Sequence, residues 1–106
     1  MYTAMNIASK IVQLYEEHGA HITNLKLQKV LYYAQMYSLQ KNGCALFDDD
    51  FQAWRHGPVI PGVYEAFRKY VSDSIETDDV TIVANSTVLE PSDKSVVDYI
   101  VTKTLP

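Results

Sequence analysis

The sequence has little cysteine, little positive charge and no long apolar run. Its single cysteine, Cys44, excludes an internal disulfide, so we expect a protein of the reducing cytoplasm in which this residue is a small buried side chain or an inert thiol. Nine Lys and Arg oppose 13 Asp and Glu, and the net charge of -4 disfavours general attraction to nucleic acid or an anionic membrane. Because there is no apolar run of about 18 residues and no basic start leading into an apolar core, we predict neither a membrane span nor a signal peptide.

Glycine and histidine are too scattered to form a recognisable site. The four glycines form no phosphate-binding loop, and none of the three histidines has a second metal-binding side chain at a zinc-type spacing. Cys44 and His56 could meet in space as nucleophile and base, but no nucleophile signature surrounds Cys44. We therefore predict a protein that is not an enzyme and has no cofactor or metal.

Three consecutive acidic residues, Asp48–Asp50, come closest to a metal-binding pattern. They begin like a calcium-binding loop, but Ala53 stands where the sharp turn of that loop needs glycine, and Val59 stands at the position of its bidentate glutamate. We expect instead a solvated acidic corner, which could pair with Lys26 or Lys29.

Two helices are predicted in the first 43 residues of the chain. The first begins after a Thr3 cap and ends near His18, and the second runs from Asn24 to Asn42 between a Thr23 cap and Gly43. Side chains that share one face at helical spacing should line the core. They are Ile7, Ile11, Leu14 and Tyr15 in the first helix and Leu27, Val30, Leu31, Ala34 and Ser38 in the second.

The stretch from Ala45 to Phe67 is too rich in large side chains to be an ordinary loop. It holds the only Trp and two of the four Pro. We expect it to be ordered and to lay Phe47, Phe51 and Trp54 against the helices, with Trp54 as a core anchor.

The end of this stretch contains signals for a turn and a short helix. Gly57 followed by Pro58 predicts the turn, and Pro61 suits the first turn of a helix that extends to about Tyr70.

The remaining sequence predicts a loop, a β-hairpin and a final helix. Residues 71–79 are polar and aperiodic, and the β-branched run from Val80 to Val88 is split at Asn85 and Ser86, which predicts the hairpin. Ser92 is expected to cap the last helix, whose apolar side is Val96, Val97, Ile100 and Val101. The predicted fold is α+β: a mostly helical single domain with a small β-hairpin or sheet.

Two separated motifs carry a resemblance to a known family. They are ITNLKLQKVLYYAQ, from Ile22 to Gln35, and LFDDDFQAWRHGPVIPGVYEAF, from Leu46 to Phe67. In this order they resemble the Panacea domain of SocA-like antitoxins, also described as phage-associated GepA-like proteins, over about residues 3–75. The structural residues of the shared motifs include Leu27, Leu31, Trp54, Gly57 and Pro58.

The resemblance also implies a domain organisation. Residues 1–106 would form a single Panacea-like domain. Family members usually continue into further helical sequence with a Thr-His and a Pro-Trp pair, and we expect this chain to lack that extension.

The resemblance implies an antitoxin that neutralises a partner toxin by direct protein–protein binding. The eight tyrosines are compatible with an interface. The family also suggests a second hypothesis, a proteolytic adaptor that delivers the toxin to an ATP-dependent protease. We expect the partner-binding residues to be Lys26, Lys29, Tyr33, Arg55, His56 and Tyr64.

DNA binding is the third hypothesis. The first two helices have the spacing of a helix-turn-helix, with Lys26, Gln28 and Lys29 where base-reading residues would lie. Apolar residues crowd the same turns, nearby acidic side chains oppose phosphate, and two helices joined by a short loop are usually a packed hairpin. Nucleic acid is therefore a disfavoured partner.

Overall fold

The computed structural model describes residues 1–106. Helices hold 55% of the chain and a two-stranded antiparallel sheet supplies the β-structure, which confirms the mostly helical α+β prediction. The elements in chain order are α1 Ala4–Glu17, α2 Asn24–Asn42, β1 Gln52–Trp54, β2 Gly57–Val59, α3 Pro61–Ala66, α4 Val80–Ala84 and α5 Pro91–Thr104. None of these helices combines the length and apolarity needed to cross a membrane.

Local signals fix the ends of α1 and α2. The Thr3 hydroxyl accepts a hydrogen bond from the Asn6 amide, and the Asn6 side chain accepts one from the Thr3 amide, each at 3.0 Å. Thr23 caps α2 by accepting from the Lys26 amide at 3.3 Å, and Gly43 ends it at a φ of 72°. Such a positive φ favours glycine, which has no Cβ to clash. These caps confirm the predicted boundaries.

Helix α2 lies at the centre of the core. It packs against α1, α3, α5 and β2. Leu27 and Leu31 are fully buried, and the other side chains predicted to face inward from α1, α2 and α5 are buried as well. The helical periodicity therefore predicted the core faces of the three long helices correctly.

The predicted hairpin between Val80 and Val88 is wrong, because this segment forms the short helix α4. The Asp79 carboxylate caps it by accepting from the Thr81 amide at 2.9 Å. Ile82 is fully buried and its carbonyl accepts a hydrogen bond from the Ser9 hydroxyl of α1 at 2.6 Å. Burial and capping thus override the strand preference of a β-branched run.

The two C-terminal helix boundaries also differ from prediction. Helix α3 ends at Ala66 rather than near Tyr70. Glu90 precedes α5 and Pro91 is its first residue, so Ser92 lies inside the helix and does not cap it. Proline suits this first position because its missing N–H would have no helical partner there.

The β-hairpin lies in the central stretch instead. Ala53 pairs with Pro58 and Trp54 pairs with Gly57, so the turn consists of Arg55 and His56 rather than of Gly57 and Pro58. The φ of Gly57 is 121°, a conformation that favours glycine. Pro58 is tolerated because both strands of a two-stranded sheet are edges.

A polar cluster around the buried Asp79 carboxylate ties the segment before α4 to the residues that follow α3. The Tyr70 hydroxyl donates to the Asp79 carboxylate at 2.7 Å, and the Lys69 ammonium lies 3.2 Å from the same carboxylate. Burial, together with the bond to Asp79, raises the pKa of Tyr70 to about 12. Burial alone would raise the pKa of Asp79, but hydrogen bonds from Tyr70, the Thr81 amide and Lys69 hold it below its ordinary value.

Candidate functional site

A buried amide network attaches the hairpin to α2. Gln28 is 1% exposed; its side chain accepts a hydrogen bond from the Ile60 amide at 3.0 Å and donates to the side-chain oxygen Oδ1 of Asn24 at 3.1 Å. Asn24 in turn donates to the backbone carbonyl of Tyr64 at 2.9 Å. Helix α2 therefore holds the backbone directly after the hairpin through polar side chains in the core.

A second glutamine holds the start of the same stretch. Gln35, one heptad after Gln28, donates to the Phe47 carbonyl at 2.8 Å and accepts from the Leu46 amide at 2.9 Å. Since one face of α2 carries both glutamines, the two ends of the central stretch are fixed against a single rigid helix.

Trp54 is not the core anchor that the sequence predicted. Its side chain is 41% exposed, and all three residues of β1 face solvent. The indole N–H donates to Gln52 at 3.0 Å, and the ring meets Tyr64 edge to face with 5.2 Å between centroids. The other two aromatic side chains of the stretch do pack inward: Phe47 is buried, and Phe51 contacts Tyr32 edge to face at 5.3 Å.

Three of the six predicted partner-binding residues line one cleft between α2 and the hairpin. The cleft has a volume of about 260 Å³. It is lined by Lys29, Tyr32, Tyr33, His56 and Pro58, and we call it the Tyr33 cleft. The sequence did not assign Tyr32 or Pro58 to partner binding; Pro58 was predicted only as a structural residue of the motif.

The other three predicted residues lie next to this cleft in the chain or in space. Arg55 precedes His56 in the exposed turn, and Tyr64 contacts Trp54. Lys26 precedes Lys29 by one turn on α2. We refer to these neighbouring side chains together as the α2–hairpin surface: Lys26, Lys29, Tyr33, Trp54, Arg55, His56 and Tyr64.

An exposed apolar stripe extends this surface along α2. Leu25 is 37% exposed, Met36 39% and Leu39 43%, and with Tyr32 they recur at i, i+7, i+11 and i+14. From the sequence we predicted only the inward face of α2, so this second stripe was not recognised. Helix α2 therefore packs one apolar face into the core and leaves a second, narrower apolar stripe at the surface.

The cations of the surface have no acidic partner within the chain. The three ion pairs of the structure are Arg68–Glu65, Lys69–Asp79 and Lys94–Asp98, and none involves Lys26, Lys29 or Arg55. The Asp48–Asp50 corner does not pair with the lysines as expected. Asp49 instead accepts a hydrogen bond from the Ala4 amide at the start of α1, at 3.0 Å.

Cys44 and His56 do not line a common cleft. Cys44 is exposed, which corrects the prediction of a buried residue, and it does not line the Tyr33 cleft with His56. No group of three or more His, Cys, Asp or Glu is placed to hold a metal ion. The side chains of the cleft can stack, donate hydrogen bonds and attract anionic groups.

The burial of Gln28 bears on DNA binding. A base-reading side chain must reach the major groove, whereas both the nitrogen and the oxygen of the Gln28 side chain form hydrogen bonds inside the core. Of the three residues predicted to contact bases, only Lys26 and Lys29 are therefore free to contact DNA.

A larger groove of about 540 Å³ lies on another part of the molecule. It runs between the end of α1 and residues 74–78, and its walls include Glu16, Glu76 and Asp78. None of the predicted partner-binding residues lines it.

Comparison with known proteins gives a family for this fold and surface. The family described as "Antitoxin SocA-like, Panacea domain" matches residues 27–104, which include most of α2, the hairpin and α5. The chain is also similar to "Antitoxin SocA" of Caulobacter vibrioides (strain NA1000 / CB15N), with 35% identity over 79 residues. That match covers 71% of this chain and 42% of the relative, so the chain spans less than half of the curated protein. No solved structure matches the chain. The extent of the family match shows that this chain belongs to the SocA-like Panacea-domain family.

Proposed function

We propose that the protein is a non-enzymatic antitoxin of the cytoplasm that neutralises a cognate toxin by binding it directly through the α2–hairpin surface. The observation that carries the proposal is the exposure of Trp54 and Tyr33, at 41% and 48%, beside cations that have no partner in the chain. Trp, Tyr and Arg are the residues most often found as binding hot spots.

The size of a stable interface indicates how much of the molecule takes part. A standard complex buries about 800 Å² on each partner, which is about 13% of the 5986 Å² surface of this chain. The Tyr33 cleft alone is too small for that. The exposed stripe of α2, with Leu25 and Met36, supplies further apolar area next to the cleft.

The buried amide network supports this use of the surface. Because Gln28 and Gln35 fix both ends of the central stretch to α2, the hairpin side chains are held before any partner arrives. A surface ordered in advance loses less conformational freedom on binding, and so retains more of the contact energy as affinity.

The experiment is growth of cells that express the neighbouring open reading frame, alone and with this chain. We expect the neighbour to arrest growth, the wild-type chain to restore it, and the two proteins to copurify. Tyr33→Ala and Trp54→Ala should abolish protection while leaving the protein folded. Val88→Ala is the matched control, since Val88 is 90% exposed and lies outside the surface. Equal protection by all variants would contradict the assignment of the surface.

A host without its ATP-dependent proteases separates direct blocking from the adaptor hypothesis. Direct blocking predicts that the wild-type chain protects this host as well as the normal one. If protection depends on a protease, the chain delivers the toxin for degradation instead of blocking it by occupancy.

A further inference from the structure

The charge of the α2–hairpin surface is opposite to that of the molecule as a whole. The chain carries a net charge of -4, yet Lys26, Lys29 and Arg55 cluster on this surface without an intramolecular ion pair. A local field of this sign steers carboxylate-bearing partners and repels basic ones. The acidic side chains of the 540 Å³ groove, such as Glu16 and Glu76, lie on other elements.

The Tyr33 cleft has the size of a site for a side chain. Its volume of about 260 Å³ is below the range of about 300 to 1,000 Å³ that is usual for small-molecule sites. Tyr32 is held against Phe51 at 5.3 Å and meets Tyr33 edge to face at 6.3 Å, so one aromatic wall is already fixed. Tyr33 is 48% exposed, and Pro58 forms part of the facing wall.

Lys29 and His56 place polar groups at this aromatic cleft. Both side chains line it, one from α2 and one from the hairpin turn. An entering segment would therefore meet an apolar wall and hydrogen-bond donors in the same cleft. This combination suits a peptide that carries an aromatic or aliphatic side chain next to a carboxylate.

We propose that the Tyr33 cleft receives an acidic segment of the toxin, with one aromatic or aliphatic side chain between Tyr33 and Pro58 and an adjacent carboxylate on Lys29 and His56. This proposal rests on the proposed antitoxin function. It adds the chemistry of the partner's contact segment, which the family does not specify. Lys26 and Arg55 attract further carboxylates of the same segment.

Nucleic acid is the competing anion for these lysines, and the structure favours the protein segment. The acidic residues Asp48–Asp50 immediately precede Phe51, which packs on Tyr32 of the cleft. They repel the dense array of phosphates along a duplex more strongly than they repel a segment that places one carboxylate beside Lys29. Gln28 is withdrawn into the core and reads no base.

The test measures association of the purified toxin with charge variants of α2. Lys29→Glu reverses a charge in the cleft, and Lys41→Glu reverses an exposed lysine of the same helix outside it. We expect Lys29→Glu to weaken binding by at least tenfold, mainly by slowing association, and Lys41→Glu to stay within about twofold of wild type. Raising the salt concentration from 50 to 500 mM should slow wild-type association more than that of Lys29→Glu.

A second pair of variants tests the apolar contact. Tyr33→Phe keeps the ring and should bind like wild type, whereas Tyr33→Ala should lose at least tenfold in affinity. Thermal unfolding of each variant shows whether the fold is kept.

The outcomes separate the two proposals. Equal binding by Lys29→Glu and Lys41→Glu would overturn the acidic-segment proposal while the antitoxin function stands. If the wild-type chain neither binds the toxin nor protects cells, both proposals fail. Binding of a 20-base-pair DNA duplex that is lost in Lys29→Glu, without toxin binding, would assign the lysines to nucleic acid.

Discussion

Replacing Gln28 by methionine should destabilise the protein although it makes the core more apolar. The side chain keeps its length, but the Ile60 amide and the Asn24 oxygen lose their partner. Each buried polar group left without a hydrogen bond costs about 1 to 3 kcal/mol. Two such groups cost about 2 to 6 kcal/mol, and burying a more apolar side chain offsets about 1 kcal/mol of this, so we expect the free energy of unfolding to fall by about 1 to 5 kcal/mol.

Urea unfolding followed by circular dichroism measures this loss, with the slope of the transition as a check on two-state behaviour. The matched control is Gln40→Met, because Gln40 lies on the same helix and is exposed. It should change stability by no more than about 0.5 kcal/mol. A loss below about 0.5 kcal/mol in Gln28→Met would refute the claim that this amide holds the hairpin to α2.

Three further predictions concern single side chains. Tyr70→Phe should lower the free energy of unfolding by about 1.5 to 3 kcal/mol at pH 7, since a hydrogen bond to the charged Asp79 is lost. The raised pKa of Tyr70 stabilises the wild type fully below pH 10 and less as pH rises to about 12, so urea titrations of the variant should show a weaker alkaline loss. Trp54→Ala should cost about 0.5 to 1.5 kcal/mol, the worth of its contact with Tyr64, against about 3 to 5 kcal/mol for a buried aromatic; a cost in the higher range would place the ring in the core. Thr23→Ala should cost about 1 kcal/mol in thermal or urea unfolding, and an unchanged midpoint would contradict its capping role.

The features that the sequence predicted best depend on neighbouring residues. Thr3 and Thr23 cap their helices by bonds to amides three residues away, and Gly43 ends α2 through its own backbone conformation. The core faces of the long helices follow from their 3.6-residue repeat. Each of these signals involves residues only a few positions apart, so the local sequence is enough to predict it.

The predictions that proved wrong concern segments whose structure depends on residues far away in the chain. The run after Asp79 has the composition of a strand, but no partner strand is present and Ser9 of α1 holds Ile82 in a helix. Trp54 looked like a core residue because it is large and apolar. Trp54 is exposed because the hairpin lies on the outside of α2. The local sequence does not show where the hairpin packs.

The candidate surface was predictable in part for the same reason. Lys29 and Tyr33 share a side of α2 by spacing alone, whereas His56 reaches the same cleft only because Gln28 anchors the backbone after the hairpin. A glutamine on the inward face of an apolar helix was the available signal for that anchor. Its partner, the amide of Ile60, is 32 residues away and could not be read from the helix.

The most direct test of the account is a calorimetric titration of the purified toxin into the wild-type chain, Trp54→Ala and Val88→Ala. The account predicts binding by the wild type, an unchanged dissociation constant for Val88→Ala, and a loss of at least about 30-fold for Trp54→Ala, which corresponds to a hot spot of about 2 kcal/mol. Equal affinity of Trp54→Ala and the wild type, or no binding by the wild type, would contradict direct neutralisation through the α2–hairpin surface.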